Sequence, residues 1–363
     1  MSLPTTMRAI KVGPPGSPAI KQVPLPRLRD DYILVKVNAV ALNPTDWKHT
    51  TIPIMATHSA NCTVGADYAG TVVAIGSKVT KPWRVGDRIA GFTHGCNHEE
   101  PEDGAFAEYA MVKGDAGQVR VPEGMRDEDA ATLGVAVVTC GQALYQKLKL
   151  PLPGEGSLGG KWFLVYGGSS GMGSMAIQYA KLSGCKVIAV CSPRNFELVK
   201  SRGAVEAFDY NDPECAKKIR EYTNDELELG LDCIAEGASI DICADSISSK
   251  GGKICYLLFT TSQKRKDVEA LHTLGYTMTG ERFTFAAAGG IEFPASKEDF
   301  EQAKMFCDVS SRLLAEGKLI PHPAKVGPDG LKGVLGGMVY MREGKVSGEK
   351  LVYRVAETPK SVL

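Results

Sequence analysis

The segment Lys161-Trp-Phe-Leu-Val-Tyr-Gly-Gly-Ser-Ser-Gly-Met-Gly173 constrains the fold more than any other part of this chain. Residues 163–166 are an apolar run with the length of a buried parallel strand. A glycine-rich turn follows at once. Residues 174–182 then carry helical spacing, with Met175, Ile177, Tyr179 and Leu182 as the apolar positions. Strand, glycine turn and helix in that order set a pyrophosphate on a helix N-terminus. The glycines let backbone N–H groups reach phosphate oxygens with no Cβ in the way. Gly168, Ser169, Ser170 and Gly171 are therefore the expected phosphate-binding residues. The alternative is a loop that merely joins a strand to a helix.

The next strand sharpens this. Residues 186–190 are apolar and β-branched, and Cys191-Ser192-Pro193-Arg194-Asn195 follows. In a site for NAD, an Asp or Glu about 20 residues after the glycines binds the ribose 2′-hydroxyl. Here that place offers a hydroxyl, a guanidinium and an amide, and no carboxylate. A guanidinium fork suits a phosphate, and an acid would repel it. The reading is NADPH, with Ser192, Pro193, Arg194 and Asn195 at the 2′-phosphate. An ordinary solvated Arg194 at a helix start is the alternative.

A length of 363 residues suits two domains. Lys plus Arg and Asp plus Glu both number 42, so nothing in the charge balance points to nucleic acid or an anionic membrane. No apolar run approaches the ~18 residues of a membrane span. The N-terminus lacks a charged region followed by an apolar stretch, so a cytoplasmic protein is expected. Ten cysteines are scattered without paired spacing, several inside apolar strands, as in a reduced protein.

Three blocks follow along the chain, with no repeats. Up to about residue 155, short β-type runs alternate with turn residues (32–37, 70–75, 87–91), which suggests a compact β-rich domain. Residues 151–160, rich in Pro and Gly, read as a flexible connector or surface excursion. From 161 to about 286, strands at 163–166, 186–190, 207–208, 230–234 and 253–258 alternate with helical spacing, the doubly wound α/β signature. Helices near 300–316 and 331–342 and a strand at 351–355 close the chain. That last strand must find a sheet, and the sheet of the first domain is the natural candidate.

The sequence resembles the medium-chain dehydrogenase/reductase superfamily over nearly its full length. Gly65-Ala-Asp-Tyr-Ala-Gly-Thr-Val-Val-Ala-Ile-Gly76 with Val85-Gly-Asp-Arg88, Gly104-Ala-Phe-Ala-Glu-Tyr109, Ser201-Arg-Gly-Ala204 and Glu343-Gly-Lys-Val-Ser-Gly-Glu-Lys350 carry the likeness. It implies a GroES-like β-rich catalytic domain (1–155, completed by 291–363) and a Rossmann doubly wound parallel-sheet domain (156–290). One departure stands out: the middle glycine of the superfamily's phosphate loop is Ser170 here.

Zinc alcohol dehydrogenases place a Cys-His pair after the third strand of the first domain and a Gly-His-Glu further on. The corresponding stretches here are Ala41-Leu-Asn-Pro-Thr-Asp-Trp-Lys48 and Gly65-Ala-Asp67. Asn43 and Ala66 cannot supply the thiolate and imidazole that zinc needs. His94-Gly-Cys96-Asn-His98-Glu99 clusters possible ligands without closed four-ligand spacing and reads as a solvated loop. No metal is expected. Without a Lewis acid, reduction of a conjugated acceptor is favoured over alcohol oxidation: hydride goes to the β-carbon, and the enolate needs hydrogen bonds and one proton.

Closer motifs resemble the trans-acting enoyl reductases of fungal polyketide pathways: Asn43-Pro-Thr-Asp-Trp-Lys48, Val165-Tyr-Gly-Gly-Ser-Ser170, Cys191-Ser-Pro-Arg-Asn-Phe196, Phe208-Asp-Tyr210 and Ser347-Gly-Glu-Lys350. The resemblance implies NADPH-dependent reduction of an α,β-unsaturated polyketide thioester held on the acyl carrier of a partner polyketide synthase or hybrid synthase–peptide synthetase. By the same resemblance Thr45, Asp46, Trp47 and Lys48 lie beside the nicotinamide ribose. Lys48 then binds a ribose hydroxyl, donates the proton, or is a plain surface lysine. Lys48 and Thr139 are the catalytic candidates. Tyr210 stacks on adenine or sits in the core. Leu257, Leu258, Val346 and Ser347 close the nicotinamide side. Ala131, Thr132, Leu133, Gly134, Val135, Ala136, Val137 and Val138 line the substrate or pack as plain core, with Gly134 and Ala136 as the floor of an acyl groove and nearby backbone amides or a bound water holding the enolate. Thr277, Met278, Thr279, Gly280 and Glu281 are further substrate candidates. Charges at 262–267 beside a sheet edge favour a monomer. The rival functions are a quinone oxidoreductase and a catalytically silent NADPH-binding relative.

Overall fold

The computed structural model describes residues 3–260, 262–285 and 290–361. The chain divides into two compact units, residues 1–138 with 276–363, and residues 139–275.

The first unit is built on the ten-residue strand Tyr32–Ala41. Its valines and isoleucine suit a pleated, buried surface. It pairs antiparallel with Asp67–Ile75, Tyr109–Lys113 and the C-terminal strand Lys350–Arg354. Arg88–Phe92 and Gln118–Arg120 extend the sheet on one side, and Ala324–Gly327 on the other. The closing strand thus joins the first domain's sheet, with Val352 opposite Ala41 and Tyr353 opposite Val40. The core gathers Val40, Tyr68, Phe106 and Leu351, each 5% exposed or less. Helices Lys297–Ala315 and Gly330–Arg342 complete this unit.

The second unit is a six-stranded parallel sheet. Its order is Glu206–Phe208, Lys186–Val190, Trp162–Tyr166, Leu229–Asp232, Gly252–Tyr256, Val268–His272. Counted along the chain that is third, second, first, fourth, fifth, sixth, the doubly wound order of dinucleotide-binding sheets.

Three local expectations change. Leu229–Asp232 stops short of residue 234 because the Asp232 carboxylate captures the Ile234 and Ala235 amides, each at 2.9 Å, and turns the chain. Gly252–Tyr256 likewise ends before Leu257 and Leu258. Residues 151–160 are an excursion anchored on the second unit: Ser183 donates to Pro151 O at 2.8 Å, and Gly160 N to Gly184 O at 2.8 Å. The units therefore divide at 138/139 and 275/276, ahead of the 155 and 290 expected. The helix Gly134–Cys140 continues as a seven-residue π-helix, Gly141–Lys147, a rare geometry that no propensity signals.

Candidate functional site

In the second unit the glycine turn has the shape of a phosphate cradle. Gly167 sits at φ +71, where a Cβ is strained, and its amide and that of Gly168 bond Val190 O. A Cβ on Gly173 would lie 2.2 Å from Gly167 O, so the first helical turn closes tightly on the loop. Ser170 adopts extended backbone (φ −78, ψ 164) and is the N-cap of helix Gly171–Leu182, its hydroxyl accepting from Gly173 N at 3.0 Å. The departure from glycine therefore costs no left-handed strain and adds a cap, typically worth about 1 kcal/mol. The Gly171 and Met172 amides, in the first turn, take no partner among the described residues. These residues fit a dinucleotide phosphate.

Asn195 donates to the Ser169 hydroxyl at 3.1 Å, tying the glycine turn to the end of the next strand. Ser192 and the Tyr210 hydroxyl are 3.0 Å apart, and Tyr210 is 41% exposed, so it is no core tyrosine. Pro193 and Arg194 are exposed, and Arg194 makes no ion pair among the described residues. Leu257 and Leu258 follow the strand end, with the Leu257 amide on Asp232 O at 3.2 Å. Thr139 is buried in the helix Gly134–Cys140.

In the first unit Asn43 caps the helix Pro44–Thr51, which carries Thr45, Asp46, Trp47 and Lys48. The Asp46 carboxyl turns inward and accepts from Asn43 N at 2.6 Å. Lys48 stays half-buried, its ammonium 5.8 Å from the Trp47 ring centre. Burial pushes Asp46 up to about 8; the Asn43 amide and the Lys350 ammonium pull it down, and Asp67 pushes it up. The fold therefore favours the protonated acid. The resulting stability is full below the ordinary value of 3.8 and is lost as pH rises towards 8. Relative to Asp46→Asn, the native protein should lose on the order of 5 kcal/mol between those limits. Urea titrations of both proteins at pH 4, 6 and 8 check this, and a constant difference rejects it.

Around Asn43 the structure assembles a cluster that the motif reading missed. Asn43 Nδ2 donates to Asp67 Oδ2 at 2.9 Å, and the Lys350 ammonium donates to Asn43 Oδ1 at 2.9 Å and to Asp67. Asp67 also accepts from Val135 N at 2.6 Å. All three side chains are buried. The positions read as lacking zinc ligands thus hold a buried ion pair and an amide. Among the described residues no three His, Cys, Asp or Glu side chains are grouped as a metal ion requires. Val346 packs on the first unit's core, and Ser347 lies half-buried ahead of Lys350.

The groove floor expected at Gly134 is not what forms. A Cβ there would lie 2.1 Å from Gly91 O and 2.6 Å from Asp67 Oδ1. Ala131, Leu133, Ala136, Val137 and Val138 are each 2% exposed or less, Thr132 is fully buried, and only Val135 is half-buried. Glu281 has structural partners: its carboxylate accepts from the Tyr32 hydroxyl at 2.6 Å and the Lys113 ammonium at 2.7 Å. Met278 and Thr279 are buried, Thr277 lies half-buried with them in a 3-10 turn, and Gly280 follows at φ +73.

The loop at 93–97 also departs from expectation. Thr93, His94, Cys96 and Asn97 are buried, and only His98 is exposed. Burial is possible because the loop's polar groups find partners inside: Thr93 N on Ala66 O (2.9 Å), Cys96 N on Thr63 O (2.7 Å), and Cys96 O accepting from Ser59 (3.0 Å). His94 meets Tyr276 at 4.3 Å between ring centres and Phe283 at 4.9 Å. Tyr276 reaches Thr45 Oγ1 at 2.5 Å, and His49 Nδ1 lies 3.0 Å from Thr45 O. Burial lowers His49 to about 4 and His94 to about 3, so both imidazoles are neutral.

Comparison with known proteins agrees with this architecture. Residues 29–123 match the alcohol dehydrogenase GroES-like domain, and residues 171–287 match the zinc-binding dehydrogenase family. The chain is 43% identical over 350 residues to trans-enoyl reductase ACTTS2 of Alternaria alternata, covering 96% of this chain and 99% of that one. It is 42% identical over 365 residues to trans-enoyl reductase resD of Aspergillus sclerotiorum, covering 96% and 100%. An alcohol dehydrogenase superfamily protein from Novosphingobium aromaticivorans has the same fold, with TM-score 0.79 at 21% identity over 96% of this chain and 100% of that one.

Proposed function

This chain belongs to the trans-enoyl reductase family of the alcohol dehydrogenase superfamily, and from that premise we propose that it reduces the α,β-unsaturated thioester of a polyketide held on a partner synthase's acyl carrier, using NADPH. The observation that carries the cofactor choice is the carboxylate-free end of Lys186–Val190, where Ser192, exposed Arg194 and Asn195 lie together. Bound NADPH supplies the hydride. Gly168, Ser169, Ser170 and Gly171 hold the pyrophosphate, and Arg194 with Ser192 takes the 2′-phosphate. Tyr210, exposed and bonded to Ser192, offers a face to the adenine. The family likeness assigns Thr45 and Lys48, on helix Pro44–Thr51, to the nicotinamide ribose and the acceptor.

The reading is zinc-independent. Asn43, Ala66 and Asp67 are not a zinc donor set, and the Lys350 ammonium already neutralises Asp67. We propose a cytoplasmic monomer, with the charges before edge strand Val268–His272 disfavouring strand pairing. No helix among the described residues is long and apolar enough to cross a membrane.

Arg194→Ala should weaken NADPH about 10- to 100-fold, since a charge-assisted bond is worth about 1.5–3 kcal/mol, and should leave NADH nearly unchanged. Fluorescence titration with both cofactors checks this. Equal losses for both would remove the 2′-phosphate assignment. Enoyl thioester reduction should persist in excess chelator, and loss of activity restored by zinc would overturn the reading.

A further inference from the structure

We propose that His94 holds the thioester carbonyl oxygen of the substrate, its ring N–H taking the negative charge that forms there when hydride reaches the β-carbon. This rests on the enoyl reductase reading above and supplies the hydrogen-bond donor that reading lacks. In the step, the new C–H bond forms at the β-carbon and the C=C π pair moves to the α-carbon and carbonyl oxygen. A proton drawn from solvent then reaches the α-carbon and restores the carbonyl. NADPH is oxidised, and the alkene is reduced.

His94 is only 7% exposed, yet no hydrogen-bond partner for its ring exists among the described residues. Its ring nitrogens are not among the fully enclosed unpaired polar atoms, so they keep an opening through which a carbonyl oxygen can reach them and take the place of water. His49, equally buried and close by, shows the contrast: its Nδ1 is used by Thr45. Burial keeps His94 neutral, so it offers one N–H and brings no charge of its own. A neutral imidazole aimed at a carbonyl is a known way to polarise it. The rings packed on it are aromatic: Tyr276 lies tilted at 31° to the His94 ring, and Phe283 meets it edge-on at 90°. Flat rings around one polar donor suit a conjugated enoyl group, which is itself flat and apolar. The Tyr276–Thr45 hydroxyl pair at 2.5 Å puts a second polar group beside these rings.

The test compares native protein, His94→Phe and His94→Gln on an enoyl thioester and on a nitroalkene, whose anion is stable without help. The expected result is a loss of about 10²–10³-fold in kcat for His94→Phe on the thioester, as for other oxyanion donors. KM and NADPH affinity should stay within threefold. On the nitroalkene the loss should be under tenfold, and His94→Gln, which keeps an N–H, should recover most thioester activity. Equal losses on both acceptors, or none on the thioester, overturn the assignment. If His94→Phe does not fold, native protein with NADP⁺ and a saturated thioester carries the test by nitrogen NMR. A shifted His94 ring resonance supports the contact, and an unmoved one rejects it. If native protein reduces no enoyl thioester at all, the enoyl reductase reading itself fails; native turnover with an unaffected His94→Phe fails only this inference.

Discussion

Lys350→Met should destabilise the protein by about 3–5 kcal/mol, the usual result of removing one partner from a buried ion pair. The Lys350 ammonium is 7% exposed and the Asp67 carboxylate 0% exposed, so water cannot replace the lost partner. Asp67 keeps the Asn43 amide at 2.9 Å and the Val135 amide at 2.6 Å, which hold its oxygens but bring no charge. The Lys350→Met, Asp67→Asn double variant should recover most of the loss, because the uncompensated charge is then gone. Urea unfolding at pH 7 reads both. A loss under 1 kcal/mol for Lys350→Met would mean that the pair is effectively solvated.

Gly134→Phe should fail to fold, not reshape an acyl groove. The Cβ alone would lie 2.1 Å from the Gly91 carbonyl oxygen, which belongs to strand Arg88–Phe92 and cannot step aside cheaply. Gly134→Ala should already cost more than the ~1–3 kcal/mol of ordinary overpacking, since the displaced chain also loses the Val135–Asp67 bond. Gly336→Ala is the control. Nothing lies within 4 Å of its Cβ, it sits on the exposed side of helix Gly330–Arg342, and it should stabilise by about 0.5–1 kcal/mol. Thermal melts of the two alanine variants check the pair. A folded Gly134→Phe protein of native stability would show that the helix Gly134–Cys140 can move.

What the sequence disclosed was local. The run at 163–166 and the glycines after it are read from neighbours, and the strand, turn and helix form as expected. The pairing of Lys350–Arg354 with Tyr32–Ala41 followed from an orphan strand needing a sheet. What stayed hidden depends on distant partners. Lys350 meets Asn43 across 307 residues, and no spacing rule joins an ammonium to a buried amide at that range. His94 looked solvated because its segment is polar; its burial is set by carbonyls of Thr63 and Ala66. Gly134 was legible as small, but smallness did not say whether open space or the Gly91 carbonyl lay opposite. Ser170 looked like a fault in a glycine motif, and its extended backbone makes it a cap.

The most direct test of the function is NADPH consumption by the purified protein with three acceptors: an enoyl thioester on a synthase carrier domain, the same acyl group on a small free thiol, and a quinone. The protein should yield one saturated acyl group per NADPH consumed, faster on the carrier than on the free thiol because tethering raises the effective concentration, and should not turn over the quinone. Quinone turnover without enoyl reduction, or NADPH binding with turnover of neither, would contradict the enoyl reductase reading.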